Sequence, residues 1–305
     1  MREKIKVNYN VHAVYPDWNF EIHGSSYAGK PENGTMMYIT AKVGHLINNL
    51  VGYKECLCFI QEGIEIPEKI SQTENAIIKV QNPQFEYAKM ASIFQMEERK
   101  YEKKMGYVLS DGGYYIGADV KIGKNAYIEP GVIIGNGVCI GDNAVILSGA
   151  VIKRARIGND FLCNEKAVIG GNSFTMAEDE AGNKFRIPSL GHVVIGNHVE
   201  VGVCDNIACG ACGDTILEDY VKLDGLVHIG HEAHLEKNVE VTAGAIVAGF
   251  VNLGVHTYLG VNSSIRNRID LGRNTLVGMG AVVTKSVEAG ITVIGNPAHI
   301  YEKKK

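Results

Sequence analysis

Counting by sixes from Leu217 meets an aliphatic residue twelve times in succession: Leu217, Leu223, Ile229, Leu235, Val241, Val247, Leu253, Leu259, Ile265, Leu271, Val277 and Val283. A helix repeats its apolar stripe near 3.6 residues and a half-exposed strand alternates, so neither sustains this spacing. A period of six fits a parallel β-helix, in which each unit supplies one short strand and one corner. Three units per turn make a triangular prism, so residue i stacks on i+18 and the aliphatic positions line one continuous core. Glycine often follows the aliphatic residue, as at Ile116-Gly117, Ile122-Gly123, Ile134-Gly135, Ile140-Gly141, Ile229-Gly230 and Leu271-Gly272. The 36 glycines and only 7 prolines suit many tight corners.

An earlier register runs Ile116, Ile122, Ile128, Ile134, Ile140, Ile146 and Ile152, drops one residue, and resumes at Ile157, Cys163 and Ile169. A stretch from Gly171 to His192, rich in Glu, Asp, Gly and Asn, interrupts it. The register returns at Ile195, Val201 and Ile207, and four extra residues precede Leu217. The slips at 152–157 and 207–217 predict corner irregularities, and 171–192 predicts a loop thrown out from one corner.

Residues 1–110 read as a small α/β domain. Ala76 to Val80 is an apolar, β-branched strand run. Asn82-Pro83 opens a helix with apolar spacing at Tyr87, Met90, Ala91 and Phe94, continuing toward Lys104. Thr40 to Leu50 reads as another helix and Glu55 to Ile60 as another strand. The charged segment Glu97 to Lys104 and Ser110-Asp111-Gly112-Gly113 mark the boundary. The expected layout is an α/β domain over 1–110, a β-helix over 111–299 carrying the inserted loop 171–192, and a tail over 300–305.

Net charge is -4. No basic stripe argues for nucleic acid or anionic membrane, and Lys303-Lys304-Lys305 reads as a solubilising tail. Met1-Arg2-Glu3-Lys4 leads into no long apolar run, so no signal peptide is expected. No stretch approaches the roughly 18 apolar residues of a membrane helix, which gives an expectation of a cytoplasmic protein without membrane insertion. Seven cysteines is an odd number, and a disulfide framework is not expected. Cys204, Cys209 and Cys212 match part of an iron–sulfur spacing, with Cys163 as the fourth ligand it would need. The hexapeptide pattern accounts for the same segment with small, semi-buried side chains and no cluster.

From Gly170 to His231 the order and spacing of several segments carry a resemblance. They are Ile187-Pro188-Ser189-Leu190-Gly191, Val194-Ile195-Gly196, Val199-Glu200-Val201-Gly202, Gly213-Asp214-Thr215-Ile216, Val221-Lys222-Leu223-Asp224 and Val227-His228-Ile229-Gly230-His231. Together they resemble the UDP-3-O-acylglucosamine N-acyltransferase family of lipid A and lipopolysaccharide synthesis. Gly34-Thr35-Met36-Met37-Tyr38 resembles that family's uridine-domain motif, and Tyr87-Ala88-Lys89 falls in its following helix. The resemblance implies a left-handed coil and transfer of an acyl group from a phosphopantetheine thioester to a sugar amine. An amine attacking a thioester must lose a proton, and a neutral histidine suits that task. The resemblance puts this base at His231, with Asp224, seven residues earlier, as its orienting carboxylate. In the hexad frame His231 stands two positions past inward-facing Ile229, so its side chain points outward near a corner. An exposed corner histidine with no task is the bland alternative. His228 is the nearest competitor, and His234 and His256 read as surface residues.

The chain departs from the family at several places. Ala208-Cys209 stand where an Asp-Arg pair is usual, Arg268 stands near a replaced second histidine, and Ala41 and Gly44 replace an Asn and a Tyr of the uridine motif. Tyr38 remains as a base-stacking ring or a core aromatic. Val283-Thr284-Lys285-Ser286-Val287 and Ile294-Gly295-Asn296-Pro297-Ala298 resemble the ending of hexapeptide acetyltransferases that use acetyl-CoA on nucleotide-linked amino sugars. That resemblance makes Gly249, Gly278, Gly280, Lys285 and Pro297 candidate cofactor-binding positions, against a reading as corner packing and a solvated lysine. In the loop, Phe174, Phe185 and Arg186, with Lys184, border an acceptor pocket or belong to a clasping hairpin.

The expected activity is N-acyl transfer, with acetyl-CoA as donor and the amine of a nucleotide-linked amino sugar as acceptor. Backbone amides of adjacent coils would stabilise the oxyanion. A homotrimer would bury prism faces, and no metal is expected. The rivals are the lipid A enzyme, taking a hydroxyacyl chain from acyl carrier protein; a sugar O-acetyltransferase; a zinc hydratase using His228, His231 and His256; and a non-catalytic scaffold.

Overall fold

A computed structural model describes residues 8–301 of the chain. The readings of Met1 to Lys4 and of Lys303 to Lys305 fall outside the described residues. The chain divides into two compact units. One comprises residues up to Lys104 together with Phe174–Gly191 and Ala211–Gly213. The other comprises Met105–Ser173, His192–Gly210 and the chain from Asp214 onward.

The second unit is the β-helix, and three sheets form its faces. The first face contains His228–Ile229, the second His234–Leu235 and the third Lys222–Leu223. All pairings are parallel except where Val108–Leu109 and His299–Ile300 add an antiparallel strand at an end of the first and third faces. Strand follows strand around the prism, and each pairs with the one a full coil later. Ile229 lies beside Val247, Val247 beside Ile265 and Ile265 beside Val283. This is the spacing of eighteen that the sequence predicts. All twelve aliphatic residues of the long register are at most 3 % exposed. Burying each contributes on the order of 1.5–3 kcal/mol. Outward neighbours on the same strands, such as Lys222, Glu240 and Asn252, stay exposed. The architecture is therefore mainly β, comprising a left-handed parallel β-helix and a small α/β unit.

The irregular coils fall at the expected slips. Cys139 pairs with Arg156, one residue short of a regular turn. Ile207 pairs with Ile229, four residues over. The register also shifts between Ile169 and Gly171, where the chain leaves for the excursion. Corners are sharp, and many take a left-handed φ. Asparagine, whose short side chain tolerates that region, occupies Asn125, Asn143, Asn238, Asn262 and Asn274.

The first unit is a three-stranded parallel sheet in the order Met36–Ile39, Leu57–Gln61, Ala76–Val80, with a long helix Pro83–Met105. Asn82 opens that helix, its Oδ1 accepting from the Phe85 N–H at 3.1 Å. The helix buries Tyr87, Met90, Ala91 and Phe94, the face its sequence spacing marks. Two expectations shift. The strand begins at Leu57 rather than Glu55, because Glu55 takes a left-handed φ of 57°. Ala41–Leu50 is a 3-10 run broken at Val43 rather than a helix of ordinary pitch. The excursion differs more. Met176–Glu178 and Lys184–Arg186 form an antiparallel hairpin. Ala177, Ile187 and Leu190 then pack into the same core as Phe59, Tyr87 and Phe94. The segment read as a loop of the β-helix is thus largely a piece of the first unit.

Candidate active site

The β-helix residues singled out in the sequence gather on one face and its two edges. Asn206, His228, Ile246, Ser264 and Val282 stand outward in one row on the first face. The corner leading onto this face carries Asp224, Gly278, Gly280 and Pro297, and the corner leaving it carries His231, Gly249 and Lys285. In the leaving corner, the eighteen-residue register stacks His231, Gly249 and Asn267 in one column; the next coil, which carries Lys285, is two residues shorter there, with Ile265 beside Val283 but Leu271 beside Val287. Glu232, Phe250 and Arg268 form the column beside it, with φ of 53°, 60° and 60°.

His231 is about one-fifth exposed, and its Nδ1 meets the carboxylate of Glu232, which is nearly fully buried. Glu232 is itself anchored: its N–H donates to Thr215 Oγ1 at 3.0 Å, and the Thr215 hydroxyl donates to the Ala208 carbonyl at 2.8 Å. A carboxylate on Nδ1 holds the proton there and leaves Nε2 as the basic nitrogen. The ring edge meets Phe250 at 5.3 Å between centroids, nearly perpendicular. Beyond Phe250, the Arg268 guanidinium carbon lies 4.0 Å from that ring's centre.

Gly249 shows why this coil has no side chain beside the imidazole. A β-carbon there would stand 2.6 Å from His231 Nε2 and 2.7 Å from Cε1. The Gly249 N–H donates to no acceptor among the described residues. His228, three residues before His231 and half-buried, has its pKa lowered by burial first and by the His231 charge second. Both effects favour neutral imidazole at His228.

Asp224 does not orient His231. Seven residues carry the chain across a whole prism face, which puts Asp224 and His231 at different corners of the prism. The Asp224 carboxylate accepts from the Gly225 N–H at 2.7 Å and the Ala243 N–H at 3.2 Å. Glu232, next to the histidine in sequence, takes the place expected of it. Sequence reasoning missed Glu232 and Phe250, although the eighteen-residue spacing of 232, 250 and 268 marks them as one column. Asp205 is another missed group. It is buried, accepts from the Gly202 and Val227 N–H groups at 2.7 Å each, and has its pKa pushed up to about 6 chiefly by burial.

The remaining candidates have local reasons for their positions. Gly278 leaves room for Ile294, whose Cγ2 would lie 2.8 Å from an added β-carbon, and Gly280 takes a φ of +65°. Lys285 is exposed, and Pro297 follows a cis peptide bond. Tyr38 is half-buried with its ring 5.1 Å from buried Tyr87, a core packing position. Phe174 is 80 % exposed, with Arg186 5.2 Å over its ring. Phe185 meets Phe85 edge-on at 5.7 Å, and Lys184 pairs with Glu178.

Within the described chain neither set of ligands comes together. Cys204 is exposed, whereas Cys163 is buried and its thiol pushed up to about 12 by burial. His256 stands near Asn238 in a different corner from His231. Among the described residues no group of three or more His, Cys, Asp or Glu side chains converges to hold a metal. No described helix is long and apolar enough to cross a membrane.

The fold and this corner define a hexapeptide-repeat protein. Residues 113–148 match the model of the bacterial transferase hexapeptide (six repeats). The chain is 39 % identical over 120 residues to the UDP-3-O-acylglucosamine N-acyltransferase of Albidiferax ferrireducens, covering 39 % of this chain and 36 % of that protein. It is 31 % identical over 139 residues to the enzyme of that name from Coxiella burnetii, covering 45 % and 41 %. The chain thus spans less than half the length of these curated relatives. Among solved structures, the UDP-N-acetylglucosamine acyltransferase of Campylobacter jejuni superposes with a TM-score of 0.57 at 22 % identity, over 62 % of this chain and 72 % of that one. The UDP-N-acetylglucosamine O-acyltransferase of Moraxella catarrhalis gives 0.57 at 23 %, over 62 % and 72 %. Both likenesses bear on the fold.

Proposed function

We propose that this protein transfers an acyl group from a pantetheine thioester to the amine of a nucleotide-linked amino sugar. One observation carries the reading: Glu232 fixes His231 Nδ1, Nε2 faces the bare α-carbon of Gly249, and the Gly249 N–H has no described acceptor. In this mechanism Nε2 takes the proton from the attacking amine, and Glu232 stabilises the imidazolium that results. The thioester carbonyl gains negative charge as the carbon–nitrogen bond forms, and the Gly249 N–H is the donor for it. Collapse of the tetrahedral intermediate expels the thiolate, which takes the proton back from His231. His228, held neutral, adds no competing positive charge beside the base.

The name of the curated relatives favours UDP-3-O-acylglucosamine as acceptor, the reading in which the donor is hydroxyacyl-acyl carrier protein. One observation supports the acetyl-CoA reading: exposed Lys285 stands at the same corner as His231 three coils on, on the order of 14 Å along the prism. A cation there suits a donor nucleotide's phosphate. We further propose that the enzyme acts as a homotrimer in the cytoplasm. A mass-spectrometric assay with UDP- and dTDP-linked amino sugars tests the function. The acceptor should gain one acyl unit from hydroxyacyl-acyl carrier protein or from acetyl-CoA, and the productive donor separates the two readings. A product acylated on oxygen, or none from any pair, would reject N-acylation.

A further inference from the structure

We infer that Arg268, its guanidinium carbon 4.0 Å over the Phe250 ring, is a receptor for an oxyanion of the acceptor substrate, a phosphate or a carboxylate. This rests on reading His231 as the base. Phe250 and Arg268 occupy left-handed corner positions, with φ of 60° each. That conformation costs roughly 1–2 kcal/mol for residues of this kind, and asparagine fills it at several other corners. The cation–π contact holds the guanidinium over the ring. Its N–H fork nevertheless donates to no described acceptor and pairs with no described carboxylate. Two other arginines differ: Arg266 Nη1 donates to the Thr284 carbonyl at 3.4 Å and Arg154 Nη1, in an earlier coil, to Asn172 Oδ1 at 3.0 Å. Arg268 is thus oriented, exposed and unspent, the condition in which an arginine binds a planar or tetrahedral oxyanion through two parallel hydrogen bonds.

Position selects the ligand. The guanidinium carbon is 4.0 Å from the Phe250 centre and that ring is 5.3 Å from the imidazole centre. Arg268 therefore lies no further from the base than those two distances laid end to end. A pantetheine thioester with its sulfur at His231 carries its phosphate at the far end of a long arm, beyond this reach. An amino sugar carries its diphosphate, or a ring carboxylate, only a few bonds from the reacting amine. The acceptor fits and the donor's phosphate does not.

Calorimetry on the full chain tests this without requiring turnover. The probes are UDP-N-acetylglucosamine for a diphosphate, glucuronate for a carboxylate, and glucosamine, which carries neither. Arg268→Ala should weaken binding of one anionic probe on the order of ten- to a hundred-fold and leave glucosamine unchanged. Arg268→Lys should recover only part of the loss, because ammonium has no fork. Phe250→Leu should weaken the same probe through loss of the platform, and Arg273→Ala, at another corner, should change nothing. Whichever anionic probe responds identifies the group. Equal binding of both anionic probes to wild type and Arg268→Ala, or no binding of either to wild type, overturns the inference. His231→Ala keeps probe binding under this account, so a failed base assignment shows separately, as unchanged turnover of that variant.

Discussion

The β-helix and the α/β unit reach stability by different routes. In the β-helix each coil repeats the same solution, one inward aliphatic per strand, so neighbours eighteen residues apart supply most of the packing. In the first unit the core is assembled from distant segments: Phe94 from the helix, Phe59 from the sheet, and Ile187 and Leu190 from the excursion. A repetitive core announces itself through its period, while an assembled core does not.

That comparison sets the largest expected effects. Leu235→Ala empties one rung of the column and should cost about 2–5 kcal/mol, and Phe94→Ala should cost about 3–5 kcal/mol in the first unit. Both residues are 0 % exposed. Trp18 is the chain's one tryptophan and packs with the Phe94 core, so its fluorescence follows the first unit during denaturant unfolding. Phe94→Ala should move that transition to lower denaturant; an unmoved Trp18 midpoint would break the description of that core. For Leu235→Ala the readout is the far-ultraviolet signal of the β-helix.

A smaller effect separates corner packing from chemistry. Gly249→Ala adds one methyl group where it meets the imidazole, not the aliphatic core. It should lower kcat/KM on the order of a hundred-fold through misplacement of the base while leaving the unfolding midpoint within a degree or two. Retained activity would show that the imidazole has room to move.

The smallest effect concerns Asp205. Its pKa in the folded chain, about 6, lies above the usual carboxylate value of 3.8. The folded state therefore binds the proton more tightly, and stability from this group is present below about pH 4 and is lost as pH rises through about 6. Acidifying from pH 7 to 5 should stabilise wild type relative to Asp205→Asn by about 1 kcal/mol. Parallel pH profiles for the two proteins would show that the buried carboxyl does not titrate there.

Much of the β-helix was legible because its period forces one residue class into one position. The slips at 152–157 and 207–217 were legible for the same reason. His231 was proposed from matched flanks, and the carboxylate that meets its Nδ1 was not the one proposed with it. Asp224 was chosen by sequence likeness, and a seven-residue separation spans a face, whereas Glu232 lies at the same corner. The excursion 171–192 was misread because nothing in its polar composition shows that Ile187 and Leu190 pack with Phe94. Glu55 shortened a predicted strand through a left-handed φ that composition does not reveal.

The most direct test of the account is acyl transfer by wild type and His231→Ala, followed by product mass under matched thermal midpoints. For His231→Ala kcat should fall about 10²–10⁴-fold, with a lesser fall for Glu232→Gln. Undiminished product from the His231 variant would contradict it.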